Sequence, residues 1–70
     1  MSILSTIGAQ IRIRRRTQKL SQRQLGLLSG VSKNAIYNLE ANNVIPTLNV
    51  LVKLTKALNC DIIIVDKENK

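Results

Sequence analysis

The chain of 70 residues has no histidine, tryptophan or phenylalanine. It has one cysteine, one proline and one aromatic residue, Tyr37. Each shortage removes a class of function. With no histidine, a lone thiol, and three of the four carboxylates falling after Cys60, no acid–base pair or metal cluster can be assembled. A non-enzyme without cofactor or metal is therefore expected. One cysteine cannot close an intramolecular disulfide, and Cys60 reads as a small core residue. One aromatic leaves little on which unpaired bases could stack, which weighs against RNA as the ligand. The apolar runs fall well short of the roughly 20 residues that span a bilayer, and no secretory signal is visible, so no membrane partner is expected. Acid is scarce as well. Up to Cys60 there are nine Lys/Arg and one carboxylate, Glu40; after it come two Lys and three acids. The net charge is +7 and the pI about 10.4. A basic body of this size, expected as a single domain over residues 1–70 with a marginal core, suits a polyanion.

The organising stretch runs from Ser21 to Glu40, SQRQLGLLSGVSKNAIYNLE. Ser21 is a good helix N-cap, and Gln24 completes a capping box with it. Leu25 and Leu28 are assigned to one face. Gly30 falls where this helix must stop and accepts a left-handed conformation. Ser32 is a second N-cap. At about 100° per residue from Ser32, Ala35, Ile36 and Leu39 cluster on one side, while Lys33, Asn34, Tyr37 and Asn38 fall on the other. So short a helix needs docking on its apolar side. Its outer side is an amide-rich comb: asparagine can pair in bidentate fashion with adenine, and lysine can donate to guanine or phosphate. Two helices joined by a glycine-containing turn can place the second in a DNA major groove.

The pattern S-Q-x-x-L-G-x-x-S-G-V-S-x-x-x-I-x-x-L-E resembles the helix-turn-helix of the lambda-repressor/Cro (XRE) family. The markers are Ser21, Gln22, Leu25, Gly26, Gly30, Val31, Ser32, Ile36, Leu39 and Glu40, and the likeness extends from about Ile7 to Leu58. Gly26 stands where the family usually has alanine. The resemblance implies a mostly α, lambda-repressor-like DNA-binding domain of roughly four to five helices. It also implies base reading at Lys33, Asn34 and Asn38, and a backbone contact with nearby base edges at Gln22. Tyr37 joins the base readers from its place on the comb.

Elsewhere the chain supports this unit. Ile3 and Leu4 either begin the first helix or pack as an arm with Ser5 as N-cap; from about Ser5 to Gln18 the pattern is helical, with Ile7 and Ile11 inward. Arg12, Arg15, Arg16 and Lys19 project within about 100° of one another. That charge run is either a solvated face or, with Arg23, Ser32, Asn42 and Asn43, a set of contacts to the DNA backbone. Asn42 and Asn43 equally suit simple turn chemistry. Arg15 sits at the margin of the Ile7/Ile11 face, and Glu40 is the one carboxylate before Cys60. A half-buried arginine seeks a bidentate carboxylate, so Arg15 and Glu40 are expected to form a structural ion pair, which the family resemblance also implies. Leu20 staples the turn into the second helix. Leu27 points outward, as a lone exposed leucine or a partner contact.

After Pro46, Thr47 caps a further helix whose core stripe is read as Leu48, Leu51, Leu54 and Leu58, with Asn59 as its stop. Residues 60–65, containing Cys60, Ile62, Ile63, Ile64 and Val65, are expected to form a short C-terminal β-strand. A strand needs a neighbour for its backbone groups. The same strand of a second copy would supply it and make a homodimer suited to a palindromic operator. The alternative is pairing with Met1–Leu4. A C-terminal strand after several helices also resembles HipB-type antitoxins, which would add a toxin kinase as a protein partner. The expected function is a sequence-specific, repressor-like transcriptional regulator binding double-stranded DNA as a homodimer. The expected location is cytoplasmic and nucleoid-associated, in a bacterial or phage-derived setting. The alternative is an antitoxin that autoregulates its operon.

Overall fold

Capping chemistry divides the chain into helices as the sequence indicates. The computed structural model describes residues 3–63, with side chains from residue 7 onward. It contains α1 (Ile3–Thr17), α2 (Gln22–Ser29), α3 (Lys33–Glu40) and α4 (Leu48–Ala57). Ser21 Oγ accepts from the Gln24 N–H while Gln24 Oε1 accepts from the Ser21 N–H, a closed capping box. Ser32 and Thr47 accept from the N–H groups three residues on, at Ala35 and Val50. Gly30 ends α2 at φ 79°, a conformation open to glycine without strain.

The other three helices end without glycine. Lys19, Asn42 and Asn59 adopt φ of 60°, 63° and 59°. In each case the residue in the left-handed conformation and its successor return their N–H groups to the last turn. At α1, Lys19 N–H reaches Arg16 O and Leu20 N–H reaches Arg15 O. At α3 the pairs are Asn42 to Leu39 and Asn43 to Asn38; at α4, Asn59 to Lys56 and Cys60 to Thr55. These are Schellman closures, which satisfy carbonyls that a helix end leaves free. Asparagine tolerates the left-handed region; lysine has no such preference.

The core is Ile11, Leu25, Val31, Ile36, Leu39, Leu54 and Leu58, with Ile7, Leu20, Ala35, Val50, Ala57 and Cys60 packed around it. α3 packs against α1 and α2, and α2 against α4. Gly8 permits the α1–α3 approach: a Cβ there would lie 2.5 Å from the Leu39 carbonyl oxygen. Gly26 does the same within the helix-turn-helix, where a Cβ would lie 2.8 Å from the Val31 carbonyl oxygen. Gln18 Nε2 donates to Leu58 O at 2.6 Å and ties the end of α1 to the end of α4.

Several expectations are corrected. Of the two starts open for α1, the structure has Ile3, so Ser5 lies inside the helix and is not its cap. Ile3 and Leu4, being helical, cannot pair as a strand with the C-terminal segment. Leu28 is 62% exposed and does not share the buried side of Leu25. The inward side of α2 is centred among Gln22, Leu25, Gly26 and Ser29, about 110° from Leu28. Leu48 is 67% exposed. Steps of three residues drift by about 60° each, so Leu48 lies roughly 120° from Leu54 and next to exposed Val52. Residues 60–63 carry no strand pairing, and there is no strand among the described residues; Ile64 and Val65 lie outside them. No helix among the described residues is long and apolar enough to cross a membrane.

Candidate nucleic-acid interface

α3 is held from behind and presents its polar side outward. Ile36 and Leu39 are fully covered, and Ala35 is half-buried. Lys33, Asn34 and Tyr37 are exposed, and Asn38 is half-buried beside Ala35. Ser32 fixes the helix start. Glu40 fixes its other end through a buried network. Arg15 Nε donates to Glu40 Oε2 and Arg15 Nη2 to Glu40 Oε1, both at 2.8 Å, a bidentate pair with side chains 9% and 5% exposed. Arg15 Nη1 donates to Leu20 O at 2.7 Å. Gln22 Nε2 donates to Glu40 Oε1 at 3.2 Å. One carboxylate thus joins the end of α1, the start of α2 and the end of α3. Burial alone would raise the Glu40 pKa. The hydrogen bonds from Arg15 and Gln22 and the positive charges of Arg15 and Arg12 outweigh it, and the carboxyl is held below its ordinary range.

The candidate backbone contacts do not share one place. Arg12, Arg16, Gln22 and Tyr37 line one open cleft of about 210 Å³ between α1 and α3, floored by Arg15 and Glu40. Tyr37 therefore stands with the arginines as well as on the comb. Arg23, Ser32 and Lys33 line a second groove at the corner between α2 and α3. Lys19 is exposed, but it has left the helix that would align it with Arg12 and Arg16. That part of the projected arginine–lysine face is corrected. Asn42 is turned toward α1: its Oδ1 would meet a Cβ on Gly8 at 2.8 Å. Asn43 Nδ2 donates to Asn38 Oδ1 at 3.1 Å.

The Gln18–Leu58 contact, the close approach at Gly8 and the Asn38–Asn43 contact had no place among the sequence-based expectations. A glycine in mid-helix was an available signal for Gly8. For the other two the partners meet only after the chain reverses at a helix end.

These features define, among the described residues, four helices built around a capped helix-turn-helix with a basic, polar outer side. Residues 11–65 match the model of the helix-turn-helix family HTH_3, and the chain belongs to that family. It is 36% identical over 62 residues to an uncharacterized HTH-type transcriptional regulator, y4dL, of Sinorhizobium fredii (strain NBRC 101917 / NGR234). That match covers 89% of this chain and 32% of the relative, so the chain spans about a third of the relative's length. Among solved structures it resembles an HTH_3 family transcriptional regulator from Vibrio cholerae, with a TM-score of 0.80 and 29% identity over 83% of this chain and 33% of that one. It also resembles the restriction-modification controller protein C.AhdI from Aeromonas hydrophila, with a TM-score of 0.79 and 29% identity over 83% of this chain and 88% of that one.

Proposed function

We propose that the chain is a sequence-specific DNA-binding module of a transcriptional regulator, engaging a palindromic operator as a homodimer. The observation that carries this reading is α3: a capped helix with its apolar side covered and Lys33, Asn34 and Tyr37 exposed. In this reading Lys33, Asn34, Tyr37 and Asn38 meet base edges in the major groove. Arg12, Arg16, Lys19, Arg23, Gln22 and Ser32 meet phosphates, and the basic surface makes affinity depend steeply on salt. Asn43 spends an amide N–H on Asn38 and the Asn42 side chain is turned toward Gly8, so their backbone contacts are secondary. Arg15 and Glu40 hold the frame.

Doubling is supported by apolar surface. Ile62 and Ile63 are 45% and 75% exposed in the segment expected to pair as a strand across a two-fold axis. Leu48 and Val52 offer a second apolar strip one turn apart on α4. The antitoxin alternative leans on the expected C-terminal strand, of which residues 60–63 carry no strand pairing and Ile64 and Val65 lie outside the described residues; co-purification of a second protein would be its signature.

An operator titration tests the main reading. Asn34→Ala should lose discrimination at one or two base pairs by about 1–3 kcal/mol while random-sequence affinity holds. Equal loss on all duplexes would remove Asn34 from the base readers. No binding to any duplex at low salt would end the DNA reading.

A further inference from the structure

On the reading side of α3, one hydrogen-bonding group is already committed inside the protein. Asn43 Nδ2 donates to Asn38 Oδ1 at 3.1 Å. The backbone holds the two residues in that relation. The Asn43 N–H donates to the Asn38 carbonyl oxygen at 2.9 Å, and the Asn42 N–H to Leu39 O at 3.1 Å. Asn42, at φ 63°, turns the chain back along the helix end and sets Asn43 beside Asn38. Asn38 is also half-buried, which narrows the ways its amide can turn.

An unrestrained asparagine can offer either end of its amide, since it carries two N–H donors and a carbonyl oxygen. Pairing with adenine uses both ends: the oxygen accepts from N6–H and an N–H donates to N7. In this chain the oxygen end of Asn38 is turned to Asn43, and the N–H end is left for a base. Guanine, with N7 and O6 side by side, is the major-groove edge that matches a donor.

We propose that Asn43 is a specificity-determining positioning residue: by holding Asn38 Oδ1 it presents Asn38 to DNA as a donor and favours guanine over adenine at one base pair. The inference rests on the DNA-binding reading above and sharpens it. Asn43 acts through Asn38 and need not touch the base.

The test is selection of bound sequences from a random duplex pool with the wild type, Asn38→Ala and Asn43→Ala. The position whose preference disappears in Asn38→Ala is the one Asn38 reads. Guanine should dominate there for the wild type. Asn43→Ala frees the amide, and the guanine-to-adenine ratio at that position should fall by about fivefold or more, with the other positions unchanged. Asn43→Asp gives an independent check. Its carboxylate accepts but does not donate, so it should draw the Asn38 N–H end inward and turn the oxygen outward, shifting preference toward adenine or cytosine. An unchanged ratio in both variants, or an equal loss on every sequence, would overturn the inference and leave Asn43 a phosphate contact. A wild type that enriches no sequence would instead remove the DNA-binding reading, and this inference with it.

Discussion

Glu40 accepts three hydrogen bonds, two from Arg15 and one from Gln22, and its side chain is nearly covered. Removing one partner of such a pair leaves a buried charge alone, so Glu40→Ala should destabilise the fold by about 3–5 kcal/mol in denaturant titration. The same site sets an acid response. The folded carboxyl titrates below its ordinary value of 4.5, so as pH falls the unfolded chain takes up the proton first. Stability from this group is present above about pH 4.5 and is lost as pH falls through the lower, folded value. The melting temperature of the wild type should therefore drop below that pH, and Glu40→Gln, less stable at neutral pH, should show a shallower drop. Lys19 offers the opposite case. Its left-handed conformation, at φ 60°, is strained for a residue with a Cβ. Lys19→Gly should raise stability by about 1 kcal/mol. If Lys19 meets a phosphate, the same variant should also reduce the salt slope of DNA binding by about 1.

At the scale of elements, two close helix approaches are set by the absence of a side chain. Gly8→Ala adds a Cβ 2.5 Å from a backbone oxygen of α3, and backbone cannot swing aside as a long side chain can. Alanine favours the helix by up to about 1 kcal/mol, but separating α1 from α3 costs more, so a net destabilisation of about 1–3 kcal/mol is expected in chemical unfolding. Gain of stability in Gly8→Ala would mean that α1 is less tightly seated. The three Schellman endings set where each chain reversal points. The one at α3 puts Asn42 on Gly8 and Asn43 on Asn38, so a single turn serves both packing and the outer polar side of α3.

Over the whole molecule, exposed apolar residues are not confined to one region. Leu27 lines the same groove as Arg23 and Lys33, and Ile13 lies with Arg12 and Arg16. Leu48, Val52, Ile62 and Ile63, on α4 and the segment after it, line neither of the grooves that hold Arg12, Arg16, Arg23 and Lys33. A dimer contact through these four would not use the residues of those grooves. Sedimentation should find a dimer at micromolar concentration, and Ile63→Lys should shift it to monomer and weaken operator binding. Dissociation by Leu48→Lys with Ile63→Lys still dimeric would place the contact on α4 instead of the C-terminal segment.

Sequence alone determined the helix-turn-helix, its caps, its inward Ile36 and Leu39, the Arg15–Glu40 pair and the basic balance. These depend on short-range signals or on scarcity: a cap and its acceptor lie three residues apart, and the region before Cys60 has one carboxylate to offer a half-buried arginine. Tertiary structure decided which leucines of α2 and α4 are inside, that Lys19 leaves its helix, and which end of the Asn38 amide is committed. Periodicity reports that a helix has an apolar side, but burial follows from which neighbour covers which arc. An amide has two chemically opposite ends, and only a partner brought to it by the turn of the chain distinguishes them.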